Sequence, residues 1–178
     1  MQKNKGLRAI KILTAAAMLT ALGAVIGIVC KNLFTFNIYY RITFENAPVI
    51  LAGLLYGPAV GGAVGVCTDV VSCFLSSGAP NPVIMLGAFS VGALAGAVPF
   101  LIRKRCKLQF AVAVAVAHLV GQVAIKSVGK MHYFGMPWQG IFVGLGVSLV
   151  AGVLEFLLIN WLLSVKGLEN IMGGRAKK

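Results

Sequence analysis

The sequence predicts an all-α integral membrane protein, a bundle of six transmembrane helices with both termini in the cytoplasm. Of its 178 residues, 59% are hydrophobic and 11% are charged, and the mean hydropathy is +0.93. Soluble chains carry about 25% charged residues, so a soluble domain of this size could not cover its surface with so few. Apolar runs fill nearly the whole chain and leave room for a single domain, 1–178, with basic cytoplasmic tails at 1–11 and 166–178.

Six apolar runs account for the six predicted helices. They are Ile12–Val29, Ala47–Tyr56, Ala59–Leu75, Val83–Ile102, Phe110–Ile125 and Ile141–Val165. Four approach the ~20 residues that a spanning helix needs, Phe110–Ile125 is slightly short, and Ala47–Tyr56 is too short to assign from hydropathy alone. Long runs without alternation favour helices over barrel strands, because backbone polar groups cannot stay unpaired in lipid.

The placement of the basic residues decides whether Ala47–Tyr56 crosses the membrane. With six spans and a cytoplasmic N-terminus, twelve of the sixteen lysines and arginines lie inside, in segments 3–11, 103–107 and 166–178. The four outside are Lys31, Arg41, Lys126 and Lys130. If the short run did not cross, the basic segments would fall on opposite sides, against the positive-inside rule. Such clustering is typical of topology signals, so the net charge of +12 does not indicate nucleic-acid binding.

The first run, which follows a basic segment, is also compatible with a signal peptide. Its roughly 18 apolar residues exceed the usual apolar core of such a peptide, and its removal would leave five spans. We therefore expect a retained first helix.

Glycine and proline mark the turns and the packing faces. Gly57 and Pro58 are expected to end the second helix and start the third, and segments 76–82 and 129–137 are expected to be outer loops. Small residues also recur at four-residue spacing, which places them on one helix face and permits close packing. The series are Ala17/Ala21, Gly23/Gly27, Gly53/Gly57/Gly61/Gly65, Gly92/Gly96 and Gly140/Gly144. Most of these faces should be internal, and some are free to meet other proteins.

The sequence has no motif for nucleotide binding, metal binding or catalysis. It contains neither GxxxxGK[ST] nor HExxH, and its two histidines and four cysteines lack the spacing of metal ligands. We expect no metal site, no cofactor and no ATP hydrolysis by this chain itself.

Few polar side chains lie inside the apolar runs, and in a membrane each is a functional-site candidate. His118 and Gln122 share a helix face, where they would form interhelical hydrogen bonds or line a ligand cavity. Glu155 is expected to bond to a neighbouring helix. Asp69, just past the middle of the third run, could be offset by Arg41 or by a polar ligand.

The predicted topology places several further polar side chains towards the outside of the membrane. Glu45 opens the second helix, either as its N-terminal cap or as part of a site. The outer polar groups are Arg41, Glu45, Asp69, Asn81, Lys126 and Lys130. Cations at a pocket mouth with an acid deeper inside would suit an anionic ligand that carries a neutral, hydrogen-bonding ring.

A family resemblance is carried chiefly by residues 41–69. The segment contains Arg41-Ile-Thr-Phe and Pro48-Val-Ile-Leu-Ala-Gly-Leu-Leu-Tyr-Gly-Pro58, followed by Gly61, Gly62, Gly65 and Asp69. With Asn81-Pro82-Val-Ile-Met-Leu-Gly87 and the chain length, it resembles the substrate-binding (S) components of energy-coupling factor (ECF) vitamin transporters, and the folate-type subfamily most of all.

The resemblance implies a protein of the bacterial cell membrane that binds a vitamin from outside and docks on a transmembrane coupling subunit with two cytoplasmic ATPases. It also implies that Ala17 and Ala21, which form an AxxxA motif, meet the coupling subunit; plain internal packing is the alternative. Arg41 and Asp69 lie on matched motif positions, where they bind substrate or pair with each other structurally.

The remaining predicted substrate-binding residues are placed by topology alone. They are Asn81, Gln122, Lys126 and Tyr133. We therefore expect a folate-binding S component that is not an enzyme. The alternatives are an S component for another vitamin such as riboflavin or pantothenate, a scaffold subunit without a ligand, and a lipid-modifying membrane enzyme, for which the acids are too few and too far apart.

Overall fold

The computed structural model describes residues 2–34, 42–76, 80–102 and 107–164, and their regular structure is entirely helical. The elements are α1 (Gln2–Leu33), α2 (Asn46–Tyr56), α3 (Pro58–Leu75), α4 (Pro82–Leu101), α5 (Lys107–Val116), a π-helical segment (Ala117–Ile125), α6 (Lys126–Phe134) and α7 (Gly140–Ser164). The predicted all-α fold class is confirmed.

Within the described residues, five helical stretches are long and apolar enough to cross a membrane. They are Gly6–Leu33, Pro58–Leu75, Pro82–Leu101, Leu108–Phe134 and Gly140–Leu162. Large apolar side chains such as Leu13, Met18, Leu157 and Trp161 point outwards. Such a surface would be unstable in water but suits contact with lipid tails.

The sixth predicted span, α2, is a different kind of element. Its 11 residues are apolar apart from Asn46 at the start, and all but Tyr56 are buried. At 1.5 Å per residue the helix is about 16 Å long, roughly half the thickness of the hydrocarbon core. Ile50 and Ala52 have no exposed surface. Protein therefore surrounds α2 on every side, and the number of spans and the orientation of the termini stay predictions.

Glycines allow α2, α3 and α4 to approach one another closely. A Cβ atom added to Gly92 would overlap the carbonyl oxygen of Gly61, and one on Gly53 would overlap that of Gly92. Further along α4, a Cβ on Gly96 would lie 2.6 Å from the Gly57 carbonyl carbon. The expectation that most small-residue faces pack internally is confirmed for these helices.

The turn between α2 and α3 is as predicted. Gly57 has a φ of 97°, in the region that favours glycine, and Pro58 is the first residue of α3. One residue thus connects the two helices and holds them side by side.

The prediction of an outer loop at 129–137 is wrong for residues 129–134, which are helical. The helix continues to Phe134, and Gly135, with a φ of 65°, ends it, so that the connection to α7 spans 135–139. The apolar run in the sequence stops before Lys126, but Lys126 and Ser127 are buried against the bundle. The helix therefore extends beyond the point at which hydropathy places its end.

Candidate functional site

Polar side chains converge where the π-helical segment and α6 face α7 and the chain before α2. They surround a cavity that is partly open. Its lining residues are Thr43, His118, Gln122, Ser127, Lys130, Met136, Gly144, Val147, Ser148 and Ala151. Met136 belongs to the 135–139 connection, so the cavity lies towards that end of the bundle.

A buried hydrogen-bonded chain joins this cavity to the interior of α7. His118 Nδ1 lies 2.9 Å from Ser148 Oγ, and His118 Nε2 lies 2.7 Å from Glu155 Oε2. The three residues are 5%, 7% and 0% exposed in the order His118, Ser148 and Glu155. The prediction that Glu155 bonds to a neighbouring helix is confirmed, and His118 realises both of its proposed roles, since it bonds between helices and lines the cavity.

Two buried acceptor atoms in this region have no hydrogen-bond partner within the described part of the chain. One is the second carboxylate oxygen of Glu155, Oε1, and the other is the side-chain carbonyl oxygen of Gln122. Buried polar atoms are normally paired, because an unmade hydrogen bond costs about 1–3 kcal/mol. Gln122 lines the cavity, so a ligand could supply the missing donor.

The π-helical segment determines which side chains share the cavity. The Lys126 N–H bonds to the carbonyl of Gly121, five residues earlier, instead of four as in an α-helix. Ser127, five residues after Gln122, therefore lines the same cavity, whereas Lys126 lines a second one. Gly121 packs against Val91 of α4, which fixes the segment on the bundle.

The second cavity lies on the other side of the start of α6. It is lined by Glu45, Asn46, Val49, Gly65, Thr68, Asp69, Ala88 and Lys126. Lys126 Nζ lies 3.9 Å from Glu45 Oε1, and both side chains are buried. Each charge thereby offsets part of the cost of burying the other.

Glu45 occupies the N-cap position of α2, but its side chain makes no cap hydrogen bond. The side chain faces Gly27 of α1 and Lys126 of α6. The Thr43 hydroxyl instead accepts a hydrogen bond of 3.2 Å from the Glu45 N–H. Glu45 thus belongs to the polar site.

The predicted substrate-binding residues fall into separate places. Asp69 and Lys126 line the smaller cavity, and Gln122 lines the larger one. Asn81 caps α4 by accepting from the N–H groups of Val83 at 3.0 Å and Ile84 at 3.4 Å. Tyr133 is 53% exposed and its ring packs edge-on against His132. Neither residue lines either cavity, and Arg41 lies outside the described residues.

Sequence reasoning missed several lining residues, above all Thr43, Ser127 and Ser148. Serine and threonine are common within apolar helices, because they can bond to their own backbone, so their presence alone carries little information. Ser148 had one usable signal. It precedes Glu155 by seven residues, two helical turns, which places both on one face of α7.

Serine, histidine and an acid also form the catalytic triad of many hydrolases, but the arrangement here differs. In the triad the serine bonds to Nε2 and the acid to Nδ1, whereas here the two nitrogens are exchanged. Ser148 also lies within α7, where backbone N–H groups bond along the helix and cannot form an oxyanion hole. The geometry favours binding over acyl transfer.

Ala17 and Ala21 lie on an exposed face of α1. Internal packing of α1 uses other residues, since Gly23 approaches Thr68 of α3 and Gly27 approaches Glu45. Plain internal packing therefore does not account for the AxxxA motif within this chain.

The fold and site define a helical membrane protein with a polar cavity between its helices. A family model described as "ECF transporter, substrate-specific component" matches residues 11–172. The chain therefore belongs to the family of ECF transporter S components, and the resemblance seen in the sequence is confirmed. A sequence comparison with curated proteins finds no significant match.

Two solved structures share the fold. One is described as "Crystal structure of FolT bound with folic acid", with a TM-score of 0.68 and 18% identity over 84% of this chain and 90% of that chain. The other is described as "Structure and mechanism of the S component of a bacterial ECF transporter", with a TM-score of 0.66 and 18% identity over 96% of this chain and 99% of that chain.

Proposed function

We propose that this S component binds folate with high affinity from outside the cell and delivers it through a coupling subunit driven by two ATPases. The observation that carries the proposal is a polar cavity inside a fold shared with a folate-bound protein.

The chemistry of the two cavities suits folate, which joins a hydrogen-bonding pterin ring to an anionic glutamate. Lys126 or Arg41 would meet the glutamate carboxylates, because ammonium and guanidinium groups bind carboxylates strongly. Asp69 would face the pterin ring. Gln122 would meet the ligand in the larger cavity, while Asn81 and Tyr133 are the weakest members of the proposed set, because their side chains lie outside both cavities.

The proposed topology has six spans with both termini in the cytoplasm of a bacterial cell. In it, α2 completes the second crossing within the protein interior. The 135–139 connection and the start of α2 then lie towards the outside, and both cavities open there. This arrangement follows the twelve-to-four distribution of cations between the inner and outer segments.

Titration of the purified protein with folate tests the proposal. We expect stoichiometric binding without ATP, and about tenfold weaker binding in both the Arg41→Ala and the Asp69→Asn variants, equivalent to about 1.4 kcal/mol. Unchanged affinity in correctly folded variants would remove those two residues from the site.

A mass-spectrometric ligand screen separates the alternatives. Binding of riboflavin or pantothenate in place of folate would change the vitamin and keep the class of protein. Purification without any small molecule, together with no response to added vitamins, would instead favour a scaffold subunit.

A further inference from the structure

The chain of Ser148, His118 and Glu155 lies beside the larger cavity, and the positions of its protons decide what Ser148 offers to a ligand. Since the Nε2–Oε2 distance is 2.7 Å, one proton lies between His118 and Glu155. The remaining question is whether Nδ1, which is 2.9 Å from Ser148 Oγ, also carries a proton. If Nδ1 is bare, Ser148 must donate its hydroxyl hydrogen to the ring. If Nδ1 is protonated, Ser148 accepts from the ring.

The energetics of burial favour a protonated Nδ1. With Nδ1 bare, the histidine–glutamate pair either carries a full negative charge at the completely buried Glu155 or is neutralised by a proton on Glu155 Oε1, which has no hydrogen-bond partner within the described residues. Both an unneutralised buried charge and an unpaired buried donor are costly. With Nδ1 protonated, the pair has no net charge.

The hydroxyl hydrogen of Ser148 is then available to the cavity. Ser148 Oγ accepts from Nδ1–H, so its own hydrogen points elsewhere, and the side chain lines the cavity. The cavity also contains the Gln122 carbonyl oxygen, an acceptor that has no hydrogen-bond partner among the described residues. One donor and one acceptor thus face the same space.

We propose that Ser148 donates a hydrogen bond to the ligand and that Gln122 accepts one, so that the larger cavity binds a heterocycle edge with a carbonyl beside an N–H. His118 and Glu155 act as positioning residues, because they hold Ser148 in its donor orientation; His118 lines the cavity, but both of its ring nitrogens are bonded within the protein. This inference rests on the proposed function and refines it, since in folate the edge is the ring carbonyl and adjacent N–H of the pterin, and Asp69 in the smaller cavity would face another part of the ring.

The proton on Nδ1 can be tested in the ligand-free protein. The chain has only two histidines, so His132→Asn leaves His118 as the single source of imidazole signals. Nitrogen-15 NMR of the histidine-labelled variant should show Nδ1 protonated. A bare Nδ1 would overturn the proposal whatever the protein binds.

Ligand discrimination tests the donor role. In the 4-amino analogue of folate, the carbonyl becomes an amino group and the neighbouring N–H becomes a bare nitrogen, so both hydrogen bonds are inverted. The wild-type protein should prefer folate by about tenfold or more, and Ser148→Ala should reduce that preference by about tenfold. A preference that is unchanged in Ser148→Ala would contradict the proposal.

Ser90→Ala is the matched control. It removes a hydroxyl from α4 that bonds to the Gly87 carbonyl at 2.8 Å and lines neither cavity. Its preference between the two ligands should equal that of the wild type. If the wild-type protein binds no folate at all, the proposed function and the assignment of the pterin edge both fail, whereas the NMR result still decides the proton position.

Discussion

At the scale of single residues, two pairs of ionisable side chains lie buried among the helices of this protein. Glu155 lies against His118, and Lys126 lies near Glu45. The sequence predicted that Glu155 would bond to another helix, because a buried carboxylate needs a partner. It did not identify His118 as that partner, since the two residues are 37 positions apart and only the relative shift of two helices brings them into contact.

The Lys126–Glu45 pair gives a prediction that separates stability from binding. Lys126→Met should lower the free energy of unfolding by about 3 kcal/mol, because it removes an ammonium group from beside a buried carboxylate. It should also weaken folate binding. Thermal unfolding in detergent and a binding titration measure the two effects.

The double variant Glu45→Gln/Lys126→Met is the control. It removes both charges, so most of the lost stability should return, while folate binding should stay weak because the cation is still absent. A double variant that is less stable than Lys126→Met alone would show that the charges do not stabilise each other.

At the scale of the helices, the four-residue spacing of glycines was the most informative pattern in the sequence. It predicted close packing, and Gly53, Gly61 and Gly92 provide it. The same fixed periodicity could not reveal the π-helical segment, because a π-helix advances its side chains by a different angle. His118 and Gln122 were correctly placed on one face, but Lys126 and Ser127 take positions that an uninterrupted α-helix would not give them.

The packing of α3 on α4 predicts the effect of a single methyl group. Gly92→Ala should lower the free energy of unfolding by about 1–3 kcal/mol, because its Cβ would overlap the backbone of Gly61. A helix backbone cannot move aside as a flexible side chain can. Thermal unfolding of the purified variant measures the loss.

Gly146→Ala is the matched control for this prediction. A Cβ at Gly146, on α7, meets no atom within 4 Å, so the substitution should leave stability unchanged or raise it slightly. Equal losses in the two variants would show that the contact between α3 and α4 does not control the effect.

At the scale of the whole molecule, composition alone was sufficient to identify the membrane class, because no soluble fold could hide so much apolar surface. The polar cavity could not be derived in the same way. Its residues come from the segment before α2, the π-helical segment, α6, the 135–139 connection and α7, and their meeting depends on how these helices pack.

Thiol labelling tests the topology. In a first variant Cys30, Cys67 and Cys73 are replaced by serine, so that Cys106 is the single cysteine and reports on the 103–107 segment. In a second variant Cys106 is replaced as well and Ala79→Cys is added, so that the new cysteine reports on the 76–82 loop. A membrane-impermeant maleimide should label Ala79→Cys in intact cells and Cys106 only after permeabilisation. The reverse pattern would mean either that α2 does not complete a crossing or that the whole bundle is inverted, and in both cases the positive-inside rule fails here.

The exposed AxxxA face of α1 leads to a prediction about assembly. Ala17 and Ala21 are exposed, and the internal contacts of α1 use Gly23 and Gly27. Close helix packing in membranes requires small residues, so Ala17→Trp/Ala21→Trp should prevent copurification with the coupling subunit and ATPases while folate binding by the isolated chain is retained.

Ala124→Trp, which places the same bulky side chain at an exposed position of the π-helical segment, should leave copurification intact. If the double variant still assembles, the AxxxA face is not the docking surface. If it loses folate binding as well, the substitutions have disturbed the fold, and Ala17→Leu alone then gives the smaller perturbation for the same two measurements.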